Sequence, residues 1–194
     1  MSDFASGYQK NLWEGFRKGD QQSLSEIFLS NYDELFKYAF HILGDEEQTK
    51  DSIQELFYKL WKNRANLGEC NSIKYYLIKS LRSVILDFRR SQKKQREQEE
   101  DEILDFDFPF EHWLILSQEE DITRTRIENA LKSLPIRQRE AIYLRFYEEY
   151  DFPKIAELMS LNLQSVRNLI YSAIQILKET FVTFIFVWIT SFYK

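Results

Sequence analysis

The chain has 194 residues, 44% hydrophobic and 16% aromatic, with five glycines and three prolines, enough apolar mass to bury one moderate core or two small ones. So few turn formers argue against a β fold, whereas runs of Leu, Ile, Glu, Lys and Gln suit helices; an all-α chain is expected, and a collagen-like, linker-like or disordered one is excluded. The single cysteine, Cys70, excludes an internal disulfide and a multi-cysteine zinc site, and with no charged-then-apolar leader the expected compartment is the reducing cytoplasm.

Taken in chain order, the first helix signal is Asp20 as a cap, with Ser23 and Glu26 spaced for a reciprocal capping box. Leu24, Ile27 and Phe28 should point inward, and the run through Tyr32, Leu35, Phe36, Ala39 and Phe40 stops at Gly44-Asp45. A second helix, Glu46 to Arg64, carries two stripes. Ile53, Leu56, Phe57, Leu60 and Trp61 form an apolar face, and Asp51, Gln54, Glu55 and Tyr58 recur at the same spacing on another. By periodicity alone that polar stripe reads as a solvated helix side. Acid–base catalysis would need a pocket and partners of shifted pKa, which nothing here supplies.

The third helix, about Ser72 to Lys94, has Ile73, Tyr76, Leu77, Ser80, Leu81, Val84 and Ile85 as its core stripe, while Tyr75, Lys79, Arg82 and the pair Arg89-Arg90 project elsewhere. Rings interleaved with cations suit single-stranded nucleic acid, where bases stack and phosphates need positive charge. A basic helix end favoured by the helix dipole is the alternative.

The net charge of -5 conceals a segregation. Lys74 to Arg96 holds eight bases and one acid; Glu97 to Asp121 holds 11 acids and no Lys or Arg. Blocks of like charge resist compaction, so 97–121 is expected to link two helical domains, even though Phe106, Phe108, Phe110 and Trp113 could dock somewhere.

Beyond it, Ile122 to Leu134 forms a helix that breaks at Leu134-Pro135, and Ile136 to Tyr147 forms another. Asp151 caps a short helix with Pro153 in its first turn. Ser160-Leu161 turns the chain, and Asn162 caps a helix from Leu163 to Lys178. Small Ala156 allows close crossing. The layout is a helix-turn-helix whose second helix would present Gln164, Ser165, Arg167, Asn168 and Tyr171 to a DNA major groove. Arg can bond guanine bidentately, Gln and Asn can bond adenine, and Ser can reach phosphate. Any helical hairpin shares this pattern, so DNA binding stays open on these residues alone. The last apolar run, Phe181 to Tyr193, has 13 residues; about 20 Å of helix does not span a hydrocarbon core of roughly 30 Å. It is expected to pack against the protein or a partner rather than to anchor on a membrane surface through Phe184, Phe186 and Trp188.

Together these segments resemble an extracytoplasmic-function (ECF) RNA polymerase sigma factor of the sigma-70 family over roughly residues 10–178. The matching stretches, in order, are Arg17 to Asp20, Asp51 to Trp61, Ser72 to Leu77, Leu86 to Arg90, Leu134 to Glu140, and Ile155 to Met159 with Ser165 to Asn168. The resemblance implies a region-2-like domain at 10–96, an acidic linker at 97–121, a region-4-like domain at 122–180 and a hydrophobic tail at 181–194. It implies that Asp51, Gln54, Glu55 and Tyr58 grip the core polymerase, overturning the solvated-face reading. It places Asn71, Lys74, Tyr75, Lys79, Arg82, Arg89 and Arg90 at the -10 element, where a flipped base is captured and the duplex melts. Gln164, Ser165, Arg167, Asn168 and Tyr171 would read the -35 element, and the acidic linker would thread the polymerase's RNA path. Core polymerase, promoter DNA and an anti-sigma factor are the implied partners, with no cofactor, metal or small-molecule substrate.

The chain departs from the family pattern at Ser83, where Asn is usual, and at Ser160, where Gly is frequent. Leu169, Ser172 and Gln175 stand where extra Arg and Lys are common, implying few phosphate contacts there. The competing reading is a stand-alone helix-turn-helix regulator with an N-terminal effector or dimerisation domain. An enzyme is not expected: His41 and His112 are isolated, and the sequence has no Glu-x-x-His pair, phosphate-cradling glycine loop or nucleophile elbow.

Overall fold

A computed structural model describes the backbone of residues 2–96 and 128–192 and the side chains of 7–90 and 128–179. The expected linker at 97–121 and the start of the helix expected from Ile122 lie outside the described residues. The chain divides into two compact units, Met1–Glu102 and Ile103–Lys194. Among the described residues all regular structure is helical.

The N-terminal unit has α1 (Ser2–Arg17), α2 (Gln21–Leu43), α3 (Glu46–Asn63), a 3-10 turn at Arg64–Asn66 and α4 (Ile73–Arg96). The capping chemistry explains the breaks. Asp20 accepts from the amides of Gln22 and Ser23 at the start of α2, and Gly44, at φ 67°, ends it by donating its N–H to Phe40. Asp45 starts α3 by accepting from the amide of Gln48.

Two expectations change. Helix α1 was not anticipated, yet Trp13 and Phe16 are fully buried, and burying a residue such as Phe16 contributes about 1.5–3 kcal/mol. The Trp13 indole donates to the Gly68 carbonyl at 2.9 Å, tying α1 to the loop before α4. The Ser23–Glu26 box does not form. Ser23 Oγ donates to Asp20 Oδ2 at 2.5 Å, and Glu26 accepts from the Tyr8 hydroxyl. The physical reason is the approach of α1: a Cβ on Gly15 would lie 2.4 Å from Ser23 Oγ, so Ser23 is buried and its hydroxyl turns to Asp20.

Of the expected apolar face of α3, Ile53, Leu56, Phe57 and Leu60 are buried, while Trp61, near the end of the helix, is half-buried. Helix α4 packs on both α2 and α3. It therefore buries Ile78 in addition to Ile73, Leu77, Leu81, Val84 and Ile85, while Tyr76 and Ser80 are half-buried. Tyr76 stacks edge-on against Trp13 at 5.1 Å.

In the C-terminal unit a helix covers 128–132, followed by α5 (Ile136–Phe146), α6 (Phe152–Met159) and α7 (Leu163–Phe192). Asp151 caps α6 by accepting from Lys154 N, and Asn162 caps α7 by accepting from Ser165 N at 2.7 Å. Between them Ser160 sits in the left-handed region at φ 55°. Ile155, Leu158, Met159, Val166, Ile170 and Ala173 form the common core with Leu131, Leu134 and Leu144. The backbone of α7 continues without a break through Phe192, so residues 181–192 extend it; what the tail's side chains pack against lies outside the described residues. No helix among the described residues is long and apolar enough to cross a membrane.

Candidate functional site

Three surfaces carry the residues singled out by the sequence. On α3, Asp51, Gln54, Glu55 and Tyr58 are all exposed, Tyr58 by 60%. They are separated from the buried stripe because residues three and four apart stack on one side of a helix. With Val84, Asp87 and Phe88 of α4 they border a groove of about 580 Å³. The Glu55 carboxylate lies 3.4 Å from the Lys59 ammonium one turn on, both about half exposed, a pair that costs little to separate. The stripe thus offers hydrogen-bonding groups on a rigid helix beside an apolar floor.

The second surface is built by the loop before α4 and by α4 itself. Asn71 is exposed and, with Lys10, Trp13, Arg17, Glu69 and Cys70, borders a cavity of about 350 Å³. Burial raises the Cys70 thiol pKa above its ordinary value, against a smaller lowering by a hydrogen bond with the Ser72 backbone. Lys74 forms an ion pair with Glu34 of α2 at 2.8 Å. Tyr75 donates its amide to Ser72 Oγ, and Tyr75, Lys79 and Arg82, all half-buried, follow one helix face at i, i+4 and i+7. Arg90 lies 3.4 Å from Asp87. Arg89 has a tie the sequence did not disclose: its guanidinium donates to the Ile42 carbonyl at the end of α2, where the helix leaves acceptors over. The cations of this segment therefore do not form one open patch.

On α7, Gln164, Arg167, Asn168 and Tyr171 are exposed, Tyr171 by 67%, and Ser165 is partly covered. Gln164 Nε2 donates to Asn168 Oδ1 at 2.9 Å, so the two amides present a joined edge. The Arg167 guanidinium stands 5.9 Å from the centroid of the Phe152 ring, which Arg145 also approaches at 5.1 Å. A ring face attracts cations, and Phe152 at the start of α6 thereby orients Arg167 at the start of α7. Ser165, Asn168, Leu169 and Ser172 border a second groove, whose other wall is Arg137 and Gln138 of α5.

Sequence reasoning missed Lys10, Trp13 and Arg17 around Asn71, the ring of Phe152 beneath Arg167, and the α5 wall. The signal for α1 was present: Trp13 and Phe16 lie one turn apart ahead of Gly19-Asp20. Nothing local pointed to the others. Among the described residues no group of three or more His, Cys, Asp or Glu could hold a metal ion.

Residues 27–95 match the family model for sigma-70 region 2, and residues 124–177 match that for sigma-70 region 4. The chain is similar to the RNA polymerase sigma factor SigV of Bacillus subtilis, 28% identical over 145 residues that cover 75% of this chain and 82% of the relative. It is also similar to the ECF RNA polymerase sigma factor SigX of the same organism, 22% identical over 82% of this chain and 84% of the relative. The fold is similar to that of CnrH, solved in complex with the cytosolic domain of CnrY (TM-score 0.57, 17% identity, 90% of this chain and 97% of that one). It is similar too to RpoE of Bartonella quintana, solved with the anti-sigma factor NepR (TM-score 0.56, 16% identity, 81% and 95%).

Proposed function

The chain belongs to the ECF group of the sigma-70 family and is a transcription initiation factor that directs RNA polymerase to promoters, and from that premise we propose which of its surfaces performs each task. The stand-alone regulator is not favoured, because it gives the region 2 match no role.

Core polymerase docks on α3 through Asp51, Gln54, Glu55 and Tyr58. The observation that carries this reading is that all four are exposed on one helix, while its other face is fully committed to the core. Exposed carboxylate, amide and phenol groups can hydrogen-bond a partner helix without first breaking a fold contact. Asn71, Lys74, Tyr75, Lys79 and Arg82 handle the -10 element. Unstacking a base there is offset by stacking on an aromatic ring and by capture in the cavity beside Asn71. Arg90 adds charge at the far end, and Arg89 contributes while holding the end of α2. Gln164, Ser165, Arg167, Asn168 and Tyr171 read the -35 element from the first turns of α7.

The acidic segment 97–121 threads the RNA path of the polymerase, where carboxylates occupy a channel built for a polyanion and yield to the growing transcript. The protein works in the cytoplasm, is not an enzyme, and is held in reserve by an anti-sigma factor, the kind of partner with which the similar RpoE was solved.

Replacing Gln54 and Glu55 together by Lys tests the central assignment. Both are exposed, so helicity should be unchanged, and co-elution with purified core polymerase should be lost. A double variant that still co-elutes overturns the assignment of this face.

A further inference from the structure

Helix α1 ends at Arg17 and the region 2 match begins at residue 27, so α1 lies wholly ahead of that match. Yet it builds one wall of the cavity beside Asn71. Lys10, Trp13, Glu14 and Arg17 of α1, with Glu69 and Asn71 of the loop before α4, border about 350 Å³, at the small end of ligand-sized cavities, about 300–1,000 Å³. The two carboxylates of this lining accept hydrogen bonds, and its cations and amide donate them. An unstacked nucleobase carries both kinds of partner along its pairing edge.

The loop depends on ties from outside it. Residues 67–72 lie outside the helices, and Gly68 has the widest backbone freedom of any residue type. Before the loop, Arg64 Nη1 donates to the Trp61 carbonyl at 2.7 Å and its Cζ lies 4.2 Å from the Trp61 ring centroid. At its end, Ser72 accepts from the amide of Tyr75 through Oγ and from that of Tyr76 through its carbonyl. Between these points the Gly68 carbonyl accepts from the Trp13 indole at 2.9 Å.

Trp13 is a rigid donor. It is 2% exposed and packed between the rings of Phe16 at 5.3 Å and Tyr76 of α4 at 5.1 Å. A buried N–H stripped of its acceptor is costly, so the bond holds the loop to the helix as firmly as the helix to the loop. Ring packing in the core thereby sets where Asn71 stands opposite α1.

We propose that α1 is a working part of the -10 reader, walling the cavity that takes an unstacked base of single-stranded DNA. Trp13 is the positioning residue for the loop that carries Asn71, and Lys10, exposed on the same helix, supplies charge to the strand. The proposal rests on the -10 reading of Asn71 and deepens it: the base is read between two elements that only the tertiary fold brings together.

The test uses the full chain assembled with core polymerase and labelled single strands carrying the native -10 element or that element substituted one base at a time. Trp13→Phe keeps a ring in the core and removes the donor. It should still co-elute with core polymerase, while its preference for the native strand falls about tenfold, the scale of one lost base contact. Phe16→Leu is the control, because Phe16 is equally buried on α1 but does not border the cavity; it should lower the thermal midpoint and leave the preference unchanged. Lys10→Glu, on an exposed position that costs the fold little, should weaken native and substituted strands alike by about tenfold, since the strand is a polyanion.

An unchanged preference in a co-eluting Trp13→Phe variant overturns the proposal, as does an equal loss in Phe16→Leu, which would make the effect one of general stability. If Trp13→Phe does not assemble, Lys10→Glu decides: wild-type binding by that variant removes α1 from the strand and overturns the proposal. Asn71→Ala separates the two levels of failure. If it lowers the preference while Trp13→Phe does not, the role of α1 alone falls; if neither does, the -10 reading of this cavity falls with it.

Discussion

Gly15 is where a single hydrogen atom in place of a side chain decides how two helices meet. The Cβ of an alanine there would lie 2.4 Å from Ser23 Oγ, well inside contact distance, and Ser23 cannot give way without releasing Asp20, the cap of α2. Gly15→Ala should therefore destabilise the protein by about 1–3 kcal/mol, the usual cost of overpacking, even though alanine is the better helix former. Urea denaturation of the single variants and of Gly15→Ala with Ser23→Ala checks the cause. Removing the hydroxyl should recover part of the loss, so the two changes should not add; a strictly additive double variant would place the strain elsewhere. Cys70 shows the same dependence on neighbours: its raised thiol pKa comes first from burial, which α1 and the Trp13–Gly68 tie help to produce.

At the level of elements, the turn between α6 and α7 is tight because one donor is shared and one acceptor is used twice. Ser160 N–H is shared between Ala156 and Glu157, and Leu161 N donates to the Ala156 carbonyl at 2.9 Å. That geometry forces Ser160 to φ 55°, where an L side chain costs about 1–2 kcal/mol. Glycine removes that cost but adds about 0.5–1 kcal/mol of backbone entropy in the unfolded chain. Ser160→Gly should therefore stabilise the helix-turn-helix by about 0.5–1 kcal/mol, read as a higher thermal midpoint; a lower midpoint would mean that the serine side chain makes a contact worth more than its strain. The same balance accounts for the sequence's departure from the frequent Gly: serine is tolerated because the strain is smaller than the stability of the packed hairpin.

For the whole molecule, the proposed assignments put polymerase docking and strand capture on residues of one unit and -35 reading on residues of the other, so on that proposal their losses should separate. Tyr75→Ala, Lys79→Ala and Arg82→Ala together should leave assembly with core polymerase intact while removing permanganate-reactive thymines near the start site; normal melting would refute the -10 assignment. Arg167→Ala should instead lower run-off transcription from the native -35 element far more than from a promoter altered at its partner base, because a bidentate contact discriminates by roughly 1–3 kcal/mol. Losses that multiply independently across the two promoters would show that Arg167 does not read that base. Each outcome is local to one unit and needs no assumption about how the two lie on the polymerase.

The capping residues Asp20, Gly44, Asp151 and Asn162, the buried stripe of α3 and the helix-turn-helix were all legible in the sequence, because caps and i, i+3, i+4 spacing involve neighbours within about one turn of helix. So was the polar stripe Asp51, Gln54, Glu55, Tyr58 as a distinct face, though not its use. Helix docking decided what remained. Ser23, buried under α1, turned its hydroxyl to Asp20; Arg89 found the Ile42 carbonyl, 47 positions away in the chain; Lys74 found Glu34. Arg167 stands over Phe152, and Gln138 meets Ser172 across 34 positions. A long polar side chain has many satisfactory partners in an isolated helix, and none is favoured by spacing alone. Only when the apolar stripes bring two helices to a fixed approach does one partner come within 3 or 4 Å, where a hydrogen bond or ion pair outweighs hydration and side-chain entropy.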